Sequence, residues 1–318
     1  FTIETSYGAG NEGFEDDLQY AKMVAKHLDV DLHIVKADVD IVRDFDKMIW
    51  HLDEPQSDAS PLNVLNICSL ARSKGIKVLI GGTGGDDLFS GYRRHQALRL
   101  EKYFSHTPWF VRSILSRASA ILQTHNPRLR RLKKLFAEAD LETHQRVSGY
   151  FAWLSRPRMI DLFSKDWKLS LHGHDPLQFL IELNDDISGE KNLLNRVLHW
   201  EMRSFLVDQN LNYTDKLSMA VGVEARVPYL DLDLVEFSTK IPPELKMRGG
   251  ETKYILKKVA EKYLPREVIY RTKTGFGAPV RKWIVEDLDE MIHDYLSPSQ
   301  IEKRGIFNPK KVWELIED

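Results

Sequence analysis

The run Gly81-Gly82-Thr83-Gly84-Gly85-Asp86-Asp87 sets four glycines within five positions directly ahead of two aspartates. Glycines let backbone N–H groups come close to a phosphate, and α/β proteins present such groups where a strand opens into a loop and then a helix. The two carboxylates alter that chemistry, because they repel phosphate unless a metal ion lies between. The spacing therefore points to a Mg²⁺–polyphosphate site at the carboxyl end of a strand, where open α/β sheets bind ligands. A flexible surface turn with solvated acids is the plain alternative. No G-x-x-x-x-G-K-[ST] occurs, which argues against a Walker-type ATPase, and no strand leads into G-x-G-x-x-G with a later acid.

Three other stretches carry more chemistry than packing asks for. Asp53-Glu54-Pro55-Gln56-Ser57-Asp58-Ala59-Ser60-Pro61 concentrates acids before a helix, where capping of backbone N–H groups is the structural alternative. Asp208 to Asp231 threads charges through an apolar segment and suggests buried pairs, Asp215 with Lys216 or Arg226, and Glu224 with Arg226. Tyr270-Arg271-Thr272-Lys273-Thr274-Gly275-Phe276-Gly277 puts a lysine in a Gly-rich loop able to approach phosphate, with a surface loop as the ordinary alternative.

The elements that must position these residues follow from periodicity. Phe1 to Ser6, Leu32 to Lys36 and Ile76 to Ile80 read as strands, the last as a buried parallel strand. Helices are expected through about His27, after Asp38 over Ile41, Phe45, Ile49 and Leu52, and over Leu62 to Lys74, with Gly75 as a C′ residue. That order implies a parallel sheet with helices on its faces over residues 1–95. Residues 96–318 read as mostly helical, with single helices over Leu193 to Tyr213 and Lys253 to Leu264.

Bulk properties bound the rest. The chain has 318 residues, 42% hydrophobic and 29% charged, with a net charge of −2, so it reads as globular with no bulk-charge call for nucleic acid or membrane. Arg128 to Lys134 holds five basic residues interleaved with leucines and reads as a solvated face over an apolar stripe. One cysteine, Cys68, forbids an internal disulfide and suits a reducing, cytoplasmic setting. His172 and His174 have no nearby cysteine and make a poor metal site. The chain starts at Phe1 on a strand pattern, and we expect it to be cut from something longer.

Together the four stretches resemble the synthetase domain of the glutamine-hydrolysing asparagine synthetase family. That family's runs look like S-G-D-G-G-D-E-L-F-G-G-Y, D-E-P, D-R-M-S-M-A-x-x-x-E-x-R-V-P-F-L-D and R-K-K-x-G-F. Here they stand as Gly81 to Tyr92, Asp53 to Pro55, Asp215 to Asp231, and Arg271 to Phe276. The resemblance implies the fold of the N-type ATP pyrophosphatases, the PP-loop or adenine nucleotide alpha hydrolase-like kind, followed by a helical lobe. It implies ATP and Mg²⁺, and attack of an aspartate carboxylate on the α-phosphate with loss of pyrophosphate. Ammonia from glutamine then displaces AMP from the acyl-adenylate. By the same resemblance Gly81, Gly82, Thr83, Gly84 and Gly85 lie on nucleotide or pyrophosphate. Asp86 matches the Mg²⁺ ligand, Lys273 contacts the α-phosphate region, Tyr92 is an active-site tyrosine, and Asp53 and Glu54 form an acidic loop beside the site.

Two departures qualify the resemblance. Thr83 stands where the family has an acid, so a carboxylate role there is moved or lost. The family's S-G-G-x-D-S loop belongs on a strand before Phe1, and a glutaminase domain would lie further upstream. The implied partners are small molecules and that upstream domain, without nucleic acid or membrane, and a homodimer is allowed. A relative forming a different amide and a non-catalytic module of the same fold are the competing readings.

Overall fold

A computed structural model describes residues 1–4, 17–36, 41–56, 58, 60–122, 127–271 and 287–317. β1 (Thr2–Glu4) and β2 (Ile34–Lys36) pair in parallel, Thr2 opposite Ile34 and Glu4 opposite Lys36. Parallel neighbours need a crossover, and α1 (Asp17–Leu28) lies in it, with Leu18 and Ala25 buried two turns apart on one face. α2 (Ile41–Leu52) buries Leu52 as expected, with Phe45 half-buried, but Met48 takes the inner place expected of Ile49, which is 38% exposed.

α3 (Ser60–Ser73) begins where Asp58 accepts from the Ser60 N–H at 2.9 Å and from its hydroxyl at 2.8 Å. The acidic loop therefore does contain a helix cap, at Asp58. β3 (Val78–Ile80) follows and pairs in parallel with β4 (Glu224–Arg226), Val78 opposite Glu224 and Ile80 opposite Arg226.

The α/β character stands, with helices dominant and the parallel sheets small. The buried environment expected for β3 does not hold. Among the described residues β3 hydrogen-bonds to β4 alone, and Val78 and Ile80 are 40% and 76% exposed. A parallel strand is buried only when both faces are covered, and the face that carries Val78 and Ile80 is open. β5 (Met247–Arg248) and β6 (Glu251–Thr252) form a small antiparallel hairpin.

The helix expected over Leu193 to Tyr213 is three pieces. An α-helix spans Leu193–Arg203, a π-helical turn Phe205–Leu211 and an α-helix Asn212–Met219. Ser204, at φ −134° and ψ −85°, breaks the first, and widened π turns often mark sites where side chains must be re-aimed. The helix expected over Lys253 to Leu264 runs over Tyr254–Ala260.

The chain divides into two compact units. The first comprises Phe1–Gly91 and Glu201–Leu288, the second Tyr92–Trp200 and Asp289–Asp318. The expected helical lobe thus returns a segment to the unit that holds the strands. In the first unit α3 packs on the Asn212–Met219 helix, and Leu62, Leu65, Cys68 and Leu217 are buried. The second unit buries a polar cluster. Arg146 Nη2 lies 2.5 Å from Glu101 Oε2, and the Tyr150 hydroxyl donates to Glu101 Oε1 at 2.6 Å. Burial, then the Glu101 charge, pushes the Tyr150 phenol upward.

Candidate functional site

β3 runs straight into the glycine loop, and the loop is partly self-satisfied. The Gly81 N–H donates to the Arg226 carbonyl at 2.8 Å, which carries the β3–β4 ladder one residue further. The Gly85 N–H donates to the Gly82 carbonyl at 3.3 Å, opening α4 (Gly85–Leu88). Two of the loop's donors are therefore engaged internally, and it is no row of bare N–H groups. Gly84 has φ +95°, and a Cβ there would meet Leu230 Cδ2 at 2.5 Å. Glycine is required on both counts. The contact joins the loop to the Val-Pro-Tyr-Leu-Asp stretch.

The two aspartates part company. Asp87 is 1% exposed and turns inward. Burial, followed by the charges of Asp58 and Asp87, raises the Tyr213 phenol above its usual range, so these two carboxylates act on one hydroxyl. Asp58 also accepts from Gln209 Nε2 at 3.1 Å, which the π turn aims at it. Asp86 turns the other way, and its Oδ1 lies 2.9 Å from Lys253 Nζ, with both side chains about a quarter exposed.

Gly91 makes room for that pair. A Cβ at this position would fall 1.6 Å from Asp86 Oδ1 and 2.4 Å from Lys253 Cε. The backbone around it is wound tightly. Gly91 N–H donates to the Asp86 carbonyl at 2.8 Å and Lys253 N–H to the Phe89 carbonyl at 3.1 Å. Ser90 and Lys253 hold φ of +61° and +54°. Left-handed backbone at a non-glycine residue costs about 1–3 kcal/mol and persists only where the surroundings over-determine it. Here Leu88, Phe89 and Ile241 supply that frame, with Tyr229, Leu230 and Ile255 packed against them. The frame fixes a carboxylate and an ammonium side by side next to the loop that ends β3.

Lys253 is the functional candidate that motif spacing misses. It follows Gly249-Gly250-Glu251-Thr252, which reads only as a turn. The hairpin of β5 and β6 makes that turn, and its last strand delivers Lys253.

Among the described residues no three His, Cys, Asp or Glu side chains gather to hold a metal ion. Mg²⁺ does not need such a cage, since it is commonly bound by one or two carboxylates together with phosphate oxygens and waters. Asp86 provides one carboxylate, with Asp87 turned away. The donor set fits Mg²⁺ carried on a polyphosphate and does not fit an all-protein metal centre.

The remaining predicted residues fall as follows. Asp53, at φ +63°, and Glu54 are exposed. Glu54 accepts from Asn212 Nδ2, and Lys216 Nζ donates to the Leu52 carbonyl at 2.6 Å, so the acidic loop is tied to the Asn212–Met219 helix. Glu224 and Arg226 do pair, at 2.9 Å, but with side chains 58% and 62% exposed. The expected buried pair is a surface pair, because the β4 side chains that carry it face solvent, and it contributes little.

Tyr92 opens the second unit, with the Arg94 guanidinium 4.3 Å from its ring centre and the His95 ring edge-on at 5.5 Å. Lys273 lies outside the described residues. The entry to its loop is anchored in the first unit, where Arg271 pairs with Asp17 and sits 4.8 Å from the Tyr20 ring centre.

Comparison with known proteins agrees along the whole chain. Residues 1–318 match the family model described as asparagine synthase. The chain is 26% identical over 314 residues to asparagine synthetase (glutamine-hydrolyzing) 1 of Bacillus subtilis (strain 168), covering 98% of this chain and 48% of that protein. It is 27% identical over 289 residues to a putative asparagine synthetase (glutamine-hydrolyzing) of Mycobacterium tuberculosis (strain ATCC 25618 / H37Rv), covering 89% and 42%. It is 25% identical over 331 residues to amidase chyE of Penicillium rubens, covering 100% and 49%. The chain spans about half the length of the curated relatives it matches.

Proposed function

The chain belongs to the asparagine synthase family, and we propose that it is the ATP-using half of an amide-forming enzyme. The observation that carries this reading is the Asp86–Lys253 pair, seated on Gly91 beside the loop at the carboxyl end of β3. An acid and a cation held together there suit a polyphosphate and its counter-ion.

In this reading an acceptor carboxylate, aspartate by family, attacks the α-phosphorus of ATP. The bond to the bridging oxygen breaks and pyrophosphate leaves. Ammonia, delivered from glutamine by a domain upstream, then bonds to the acyl carbon of the adenylate. AMP departs with the electron pair and a proton is lost. Asp86 would hold Mg²⁺ jointly with the phosphate oxygens, and the ion would neutralise charge on the leaving group. Gly81 and Gly82, both exposed, let the backbone approach the phosphates. Lys253 keeps the Asp86 carboxylate oriented before nucleotide arrives and offers its ammonium to phosphate oxygen afterwards. Lys273 supplies a second cation at the α-phosphate, Tyr92 is an active-site tyrosine by the family resemblance, and Asp53 and Glu54 form the substrate-side acidic loop. The sheet is of the PP-loop kind, completed by a strand that carries the pyrophosphate loop.

A second reading keeps the chemistry and changes the acceptor. Thr83 replaces the family's acid, and relatives of similar identity include proteins named amidases. A neutral hydroxyl cannot serve as a carboxylate would toward an amino-acid ammonium.

The test is ATP–pyrophosphate exchange by the full-length protein over a panel of carboxylic acids. Aspartate-dependent exchange supports the first reading, and exchange with a different acid alone supports the second. No exchange with any acid overturns adenylation.

A further inference from the structure

The Trp109–Ser119 helix of the second unit exposes its bulkiest apolar side chains. Its inner face is mixed: Ser113 and Ser119 are buried and Val111 and Leu115 half-buried, while Arg112 donates to the Ala139 and Leu141 carbonyls at 3.3 and 3.0 Å and Ser116 donates to the Ala137 carbonyl at 2.9 Å. The outer face carries large apolar side chains together with Arg117. Phe110 and Ile114 are 61% and 63% exposed and lie four apart on one stripe, and Ile121, 85% exposed, follows in the turn just past the helix end. Trp109, 63% exposed, stands at its head. A helix in a water-soluble surface normally shows the reverse arrangement.

Beside it packs the Pro127–Phe136 helix, whose Arg130 and Arg131 are exposed, along with Leu132 at 43%. Charge in this region has one sign. From Lys102 to Ala137 the sequence holds eight basic residues and no Asp or Glu, in a chain of net charge −2.

We propose that these two helices form a docking surface for an anionic phospholipid bilayer. The exposed aromatic and aliphatic stripe enters the boundary of the acyl region while the flanking arginines and lysines meet the headgroups, which is how interfacial helices bind. Nucleic acid would satisfy the cations but leave Phe110, Ile114 and Ile121 in water. A second copy of this face would bring like charge against like charge. The contact is interfacial, since among the described residues no helix is long and apolar enough to cross a membrane. It amends the sequence expectation of a chain without membrane contact, and it is independent of the amide-forming reading.

The experiment is cosedimentation of the full-length protein with phosphatidylcholine vesicles, either pure or containing about 30 mol% phosphatidylglycerol. Two variants accompany it, Arg130→Gln/Arg131→Gln and Ile114→Ser/Ile121→Ser. All four positions are exposed, and circular dichroism checks that the fold is kept. The expected result is binding to the anionic vesicles only, weakened by added salt. Each cation near an anionic surface contributes roughly a fivefold factor, so the arginine variant should bind about 25-fold more weakly. The isoleucine variant should lose about tenfold or more. Absence of binding, equal binding to neutral vesicles, or indifference to either variant overturns the proposal. So does a dimer that the isoleucine variant dissociates in a protein that ignores vesicles, which would make the face a contact between copies.

Discussion

Gly91→Ala separates the proposed site from the fold around it. The substitution adds one methyl group, and the structure states what that group meets: Asp86 Oδ1 at 1.6 Å, Asp86 Cγ at 2.4 Å and Lys253 Cε at 2.4 Å. Ordinary contact begins near 3.4 Å, so the carboxylate oxygen must retreat by roughly 1.8 Å. The atoms in the way are the ends of two side chains, neither fully buried, which can swing outward without dragging backbone. Overpacking costs typically about 1–3 kcal/mol, and this geometry selects the lower end. Thermal midpoint should fall by only a few degrees. Catalysis is less forgiving, because a displacement of about 1 Å in a positioned group can cost 10²-fold. The expected outcome is a folded protein whose ATP-dependent pyrophosphate release is lowered about 100-fold. Gly189→Ala, where a Cβ meets nothing within 4 Å, is the control and should change neither quantity. Normal turnover in folded Gly91→Ala would refute the role given to the Asp86–Lys253 pair. Wholesale unfolding would refute the claim that the clash can be relieved by side chains alone.

Asp86→Asn should abolish Mg²⁺-dependent pyrophosphate release in the full-length protein with the far-UV spectrum unchanged, and wild-type release would count against the assignment. Lys273→Ala should lower turnover by roughly 10²–10³ with ATP affinity changed much less, and Lys273→Arg should restore part of it. A raised KM for ATP at normal turnover would reduce Lys273 to a binding residue. Residues 1–318 alone should show no measurable adenylation, and activity in that fragment would locate the pyrophosphate cradle elsewhere. Burial pushes the Cys68 thiol from 9.0 up to about 11. Its contribution to stability is therefore whole below pH 9 and is lost as pH rises toward 11, by about 2–3 kcal/mol. Melting curves from pH 8 to 11 should show this extra slope in the wild type and not in Cys68→Ala, and parallel slopes would refute it.

The glycine loop was readable because its requirement is local. Gly84 needs a positive φ and a close neighbour, and a run of glycines before two acids announces that kind of backbone. The pairing of that loop with Tyr229 and Leu230 was also in reach, since both stretches stood out by composition. What could not be read were the partners set by long-range packing. Nothing local says that Asp86 and Asp87 face opposite ways, or that Lys253 reaches Asp86 across a sequence separation of 167 residues. The surface position of Glu224 and Arg226 was missed for the same reason: the residues alternate as a strand, and which face is covered depends on a neighbour. Local periodicity also overran Ser204, where the helix ends and the π turn begins. Its Ser-Phe-Leu-Val context carries no breaker such as Gly or Pro.

The strands and the Asp86–Lys253 pair rest on different supports. β1–β2 and β3–β4 are each parallel, and among the described residues they are not joined to one another. Yet they share supports. α3 touches β1 and β2 and packs on the Asn212–Met219 helix, which in turn touches β4. Ile80 and Val78 stand in solvent on the strand that leads into the glycine loop. Each pair leaves an edge that no strand covers among the described residues, and an open edge is where another strand can add. The Asp86–Lys253 pair rests instead on the Leu88–Phe89–Ile241 frame, so the site's carboxylate and ammonium are positioned by that core and not by sheet width.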